Sequence, residues 1–229
     1  MSLFGEVVEP GTRTAWEDWD DAGPQHDIPE LKWNNALEVP DVIDLLIILD
    51  GKYVSDTLQL HSQDSVELLN TVKEASLSLY KIKLRNAYIC ILKDYNLLLS
   101  GEIVELLRDF VEKSKDIISV LKKPVADYQT SSLAYQPCII RSLTTTVNLT
   151  NSYGLEFPKL EQPNILSGVG AGVLTLREHL SLSASLIVYY LEYMESSQME
   201  EIHGLLQKLD ISVASKPAPS SIINSNLYI

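Results

Sequence analysis

The sequence predicts an α/β protein: a central β-sheet flanked by helices (an α/β sandwich), between a disordered N-terminal arm and a flexible C-terminal tail. Three observations carry this. Aliphatic runs of strand length recur through residues 41–211. Stretches with apolar residues at helical spacing lie between them. The two ends are too poor in apolar density to build a core. Residues 1–40 are therefore read as an acidic arm, 41–211 as one domain, and 212–229 as a linker with a terminal tail.

Val42–Leu49 is almost continuously aliphatic and stops at Asp50-Gly51, the pattern of a central strand buried on both faces and closed by a turn. Tyr53–Leu60 is read as a second strand and Asp64–Glu74 as a short helix. Ser76–Leu84 alternates polar and apolar residues, the period of a half-buried strand. Arg85-Asn86 is a turn into Ala87–Leu92, which makes a hairpin. Ser100 is the expected cap of a helix over 102–113, whose Ile103, Leu106, Leu107, Phe110 and Val111 form one stripe. Ile117–Leu121 is a further aliphatic strand, followed by a polar loop with Asp127-Tyr128-Gln129-Thr130. Pro137–Leu143 reads as a short strand, and a Thr/Asn/Ser-rich loop runs on to Gly154. A helix is expected over about 168–180, a buried strand over Ser185–Leu191, and a last helix over Ser197–Leu209.

Charge is unevenly spread. The chain has 229 residues and a net charge of −13, and residues 1–41 hold ten acids against Arg13 and Lys32. The remainder is close to ordinary. Nucleic acid is disfavoured as a partner because phosphate neutralisation needs a basic face, and anionic membrane for the same reason. The densest apolar runs, Val42–Leu49 and Leu182–Leu191, are too short to span a bilayer. The opening residues lack a basic-then-apolar leader, so the expected location is cytosolic, with the nucleus left open. Without such a leader, the sequon Asn148-Leu149-Thr150 reads as incidental. Two cysteines, Cys90 and Cys138, do not make a disulfide framework.

The signatures of catalysis are weak. None of the four histidines lies four residues from another or in a Cys/His cluster, which argues against zinc. Gly168, Gly170 and Gly172 spell G-x-G-x-G, with Pro163-Asn164 upstream where a dinucleotide fold needs a strand and the third glycine one place early. Close packing of a helix start on the sheet is the better reading. Cys90 falls on a strand and reads as a small buried hydrophobe. Glu102, Glu105 and Glu112 read as a solvated helix face. No enzyme, metal or cofactor is predicted.

The ends are more telling. Trp16 and Trp19 stand in an acidic run that cannot bury a core, and Phe4 lies in a semi-apolar opening. The plain reading is a disordered arm. The functional one makes Phe4 and the tryptophans, Trp16, Trp19 and Trp33, anchors that order on a partner. Ser212–Asn226 has five serines, Pro217, Pro219 and one charged residue, a flexible linker. It leads to Leu227-Tyr228-Ile229: an apolar side chain for a pocket, a ring with a hydroxyl, and a carboxylate for a cation or a nest of N–H groups.

Four islands resemble the proteasome assembly chaperone 1 family, 20S α-ring assembly chaperones. They are Leu3-Phe4-Gly5-Glu6-Val7-Val8, Asp127-Tyr128-Gln129-Thr130, Glu161-Gln162-Pro163-Asn164-Ile165 with the helix and strand after it, and Asn224–Ile229. The resemblance implies a non-enzymatic α/β sandwich without cofactor that pairs with a related subunit, proteasome assembly chaperone 2. The pair would sit on the outer face of the 20S α ring, promote its assembly, and prevent off-pathway ring dimers and premature regulator docking. Leu227, Tyr228 and Ile229 would insert between α subunits, the carboxylate facing a pocket lysine. Two alternatives stand beside this: a ligand for a PDZ groove, which also takes a C-terminal aliphatic residue, and an α/β enzyme of unrecognised type.

Overall fold

The computed structural model describes residues 30–51, 66–83, 85–130, 138–147, 156–191 and 204–209. Its centre is a sheet of seven strands: β1 (Ile43–Asp50), β2 (Val66–Val72), β3 (Leu77–Ile82), β4 (Ala87–Leu92), β5 (Ser114–Lys123), β6 (Cys138–Thr144) and β7 (Ser185–Leu191). The spatial order is β2-β3-β4-β1-β5-β7-β6. β4, β1, β5 and β7 are parallel neighbours, and antiparallel strands close both edges. The parallel strands are the most aliphatic because both of their faces are covered. Leu46 pairs with Tyr88 on one side and Ile117 on the other.

Alternation along β1 sends Leu46 and Ile48 to one face and Leu45, Ile47 and Leu49 to the other. Three helices cover the first face: α1 (Ser100–Leu106), α2 (Arg108–Lys113) and α3 (Val169–His179). Ile103, Phe110, Val111, Val169 and Val173 are buried there, with Leu107 at the junction of α1 and α2. On the second face Leu205 and Leu206 of the helical stretch at 204–208, and Leu209 just after it, join the cluster that holds Ile47 and Tyr189.

The predicted glycine packing holds. A Cβ on Gly170 would lie 3.1 Å from Leu186 and 3.4 Å from Ser119, and one on Gly172 would meet Val104 of α1 at 2.9 Å. Glycine thus lets α3 approach both the sheet and α1. Cys90 is buried in β4, and burial pushes its thiol well up. Among the described residues no helix is long and apolar enough to cross a membrane.

Several expectations are corrected. Residues 66–72 form an edge strand, not part of a helix over 64–74. Val66, Leu68, Leu69 and Val72 satisfy either period, and antiparallel pairing with β3, with a bulge between Leu68 and Asn70, decides. The helix over 102–113 is two helices meeting at Leu107, where ψ is −3°. Ser100 does not cap it. The chain turns earlier, in a 3-10 turn at Leu97–Leu99, where the Asn96 side chain accepts from Leu98 N–H at 3.0 Å. The body of the fold also reaches back before residue 41. Leu31 is buried, Trp33, expected as a partner anchor, instead packs edge-on to Phe110 at 6.3 Å, and the Asn70 amide donates to Asn35 O at 2.7 Å. The strand expected at Tyr53–Leu60 and the start of the last helix, residues 197–203, lie outside the described residues.

Candidate interaction site at the carboxyl end of the sheet

The parallel strands all end at one rim, where a doubly wound sheet places its functional loops. Residues 93–99 follow β4, residues 124–130 follow β5, and residues 161–168 lead into α3. Two polar devices hold these loops.

The first is a latch. Asp50, 4% exposed, ends β1. Tyr95 donates its hydroxyl to Asp50 Oδ2 at 3.0 Å and accepts the Val169 N–H at 3.0 Å. Burial pushes the Asp50 carboxyl up, opposed by the Tyr95 hydroxyl and by the N–H groups of Gly170 and Val169. The positive end of an eleven-residue helix also favours a carboxylate there. Gly168 makes the latch possible: its φ is 101°, and a Cβ would sit 2.9 Å from the Tyr95 hydroxyl oxygen.

The second is a clasp, made of two of the sequence islands. Arg141 of β6 donates from Nε to Glu161 Oε2 at 2.8 Å and from Nη2 to the Tyr128 hydroxyl oxygen at 2.7 Å. Tyr128 donates to Glu161 in turn. These bonds hold the Glu161 carboxyl down at about 2. Arg141 lies 5.2 Å from the Tyr128 ring centre, and that ring packs on Tyr190 at 5.0 Å. Asn164 Oδ1 accepts Gln129 N–H at 2.8 Å, and its Nδ2 donates to the carbonyls of Gln129 and Glu161, each at 2.9 Å. The Gln162–Pro163 peptide bond within the clasp is cis.

Beside these anchors the rim exposes large aliphatic side chains: Leu97 at 61%, Leu98 at 66% and Ile165 at 84%. The predicted partner-binding residues Leu227, Tyr228, Ile229, Phe4, Trp16 and Trp19 lie outside the described residues. The rim is what the structure adds to them. Sequence reading singled out Tyr128, Gln129, Glu161 and Asn164 as pattern and missed Tyr95 and Arg141. Among the described residues no three His, Cys, Asp or Glu side chains are grouped to hold a metal ion.

The fold class is an α/β sandwich on a mixed seven-stranded sheet. No family model and no curated protein matches the sequence. Solved structures do match. PbaA of Pyrococcus furiosus, described as an archaeal homolog of proteasome-assembly chaperone, superposes with a TM-score of 0.56 at 12% identity, covering 82% of this chain and 89% of that one. PbaB of the same organism, described as an archaeal proteasome activator, gives 0.50 at 12% identity over 81% and 91%. A Thermoplasma acidophilum protein of unknown function gives 0.50 at 8% identity over 92% and 87%. At such identities the likeness establishes a shared fold.

Proposed function

We propose that this chain is a non-enzymatic assembly chaperone of the 20S proteasome, working in the cytosol. In this reading it pairs with a second assembly chaperone, proteasome assembly chaperone 2, on the outer face of the α ring. Its terminal Leu227-Tyr228-Ile229 inserts between α subunits, and the pair prevents off-pathway ring dimers and premature regulator docking. One conjunction carries the reading: a body with the fold of PbaA, in a sequence that carries Leu227-Tyr228-Ile229 beyond a Pro- and Ser-rich stretch.

The tail has the energetics of a tethered ligand. Burying Leu227 contributes about 1.5–3 kcal/mol, and a carboxylate–lysine contact a similar amount. Ordering the linker costs about 1 kcal/mol or more per fixed residue, so the free tail peptide binds weakly. Held by a docked body, the tail acts at about millimolar effective concentration. Deleting Leu227–Ile229 is therefore expected to weaken α-ring binding by about ten- to a thousandfold while leaving chaperone pairing intact. Tyr228→Ala does much of the same damage, and so does one residue appended after Ile229. Pull-down of α-ring intermediates with the three variants is the test. Wild-type capture by all three defeats the reading of the tail.

A further inference from the structure

Asp50 is buried, and among the described residues no cation pairs with it. The groups set directly against it are neutral. Tyr95 comes from the loop after β4, the N–H groups of Val169 and Gly170 from the start of α3, and the buried Cys90 thiol from β4. Its strand partners are Leu92 of β4 and Leu121 of β5. Lys122 stands beside Gly51 instead, its Cβ 3.9 Å from where a Gly51 Cβ would lie. Lys93, Asp94 and Lys123 are the other charged side chains where these strands end, and none of them pairs with Asp50. The basic residues of α3, Arg177 and His179, are in its last turn. Burial without a cation disfavours the charged form, and here it outweighs the Tyr95 hydroxyl and the two N–H groups, so the carboxyl titrates above its ordinary range.

The sheet side of this latch is fixed. Gly51 N–H donates to Leu92 O at 2.9 Å, and Lys93 N–H donates to Ser76 O at 3.2 Å. The loop side is light. Between Leu92 and buried Leu99, only Tyr95 is partly buried, and the other five side chains are exposed. Its hydroxyl joins the loop to β1 and α3, through the bond to Asp50 Oδ2 and the bond from Val169 N–H. Breaking those two bonds frees residues 94–98 and leaves the sheet intact, a local opening that needs far less free energy than global unfolding. The same opening brings water to Asp50 and to the Val169 N–H.

We infer that residues 94–98 form a proton-sensitive flap, which closes more firmly when Asp50 is protonated and opens more readily when Asp50 is ionised. Only opening returns the charge to water. A proton taken from water by Oδ1 leaves Oδ2 to accept the Tyr95 hydroxyl, so the closed geometry accommodates the neutral acid. The closed flap keeps this proton to a higher pH than the open one, so closure takes up a proton. Its hold is greatest below the ordinary carboxyl range and weakens as pH rises through the raised value of the closed form. Leu97 and Leu98 ride on the flap, so the Asp50 charge sets how firmly they are held, whatever the rim binds.

The test is hydrogen exchange of the full-length chain under native conditions. The Val169 amide is the reporter, read as a protection factor so that the pH dependence of exchange chemistry divides out. A carbon NMR titration of the Asp50 carboxyl runs beside it. Val169 protection is expected to fall by at least about threefold between about pH 4 and about pH 7. Asp50→Asn keeps an oxygen for the Tyr95 hydroxyl but cannot ionise, so its Val169 protection is expected to stay level over that range. Tyr95→Phe is expected to lower Val169 protection at every pH while Asp50 still titrates. Wild-type protection that is level or rises with pH overturns the inference. So does an Asp50 carboxyl that titrates at or below its ordinary value. An Asp50→Asn chain whose protection falls as the wild type does assigns the response to another group and overturns it too. Should that variant not fold, the two wild-type measurements decide.

Discussion

The two ends of the parallel sheet use polar chemistry for opposite purposes. At the amino end Arg177, the largest fully buried side chain among the described residues, is 0% exposed. It donates to the carbonyls of Val111 at 2.8 Å, Ser114 at 2.7 Å, Lys115 at 3.0 Å and Ser183 at 2.5 Å. One guanidinium thereby joins α3 to the end of α2, the start of β5 and the approach to β7. Asp116 sits near enough to favour its charge and is tied to the same segment by Ser183 Oγ at 3.0 Å. At the carboxyl end the latch and clasp engage loops, and the order they create displays Leu98 and Ile165 to solvent. The first end spends its hydrogen bonds on closing the fold. The second uses them to order loops that hold aliphatic side chains in solvent.

Breaking the amino end is expected to have the largest effect. Arg177→Met strands four carbonyl groups in a dry site and should cost about 3–5 kcal/mol by denaturant unfolding. Arg177→Lys, with fewer donors and no planar fork, should restore only part of that. A loss below about 1 kcal/mol for the methionine variant would mean that packing alone holds this end.

Gly168→Ala tests the latch. It places a side chain where φ is 101° and the Tyr95 oxygen is 2.9 Å away, so a cost of about 1–3 kcal/mol is expected. The Val169 amide should exchange faster, since its acceptor is pushed aside. An unchanged melt and unchanged exchange would show that the latch is not what holds residues 95–99.

The clasp is more exposed and its contribution smaller. Asn164→Ala removes three hydrogen bonds and should cost about 1 kcal/mol. Glu161 adds a pH signature. Its carboxyl is lowered from 4.5 to about 2 in the folded chain. Its stabilisation is therefore complete above about pH 4.5 and is lost as pH falls toward 2. With 43% of the side chain exposed, screening keeps the contribution below about 1 kcal/mol. Glu161→Gln should flatten the stability profile in that window; an unchanged profile would assign the acid response to other carboxylates.

The smallest expected effect on stability is at the displayed residues. Ile165→Ser should change unfolding free energy by less than about 0.5 kcal/mol, because the side chain is 84% exposed. A destabilisation of several kcal/mol would place Ile165 in the fold and collapse the contrast between the two ends.

Local pattern carried much of the architecture. β1, β3, β4, β5 and β7 were legible because a strand buried on one or both faces must be alternating or continuously aliphatic. α3 was legible too, and packing on the sheet rightly accounts for Gly170, whereas Gly172 packs on α1 and Gly168 serves the latch through its positive φ. β2 was not, since four aliphatic residues in seven suit a helix as well as an edge strand. Arg177 could not be read at all, because a basic residue in the last turn of a helix ordinarily faces water.

The sequence by itself determined the α/β class and the order of most elements, which follow from the pattern of neighbouring residues. Only the tertiary structure decided that Tyr128 meets Glu161 across 33 positions, that Tyr95 locks Asp50 to α3, and that Ile165 points outward between two anchored residues. Those outcomes depend on which strands become neighbours. Hydrogen bonds between distant segments form only when the sheet order has brought their loops to one rim, and that order is set by the burial of the whole core.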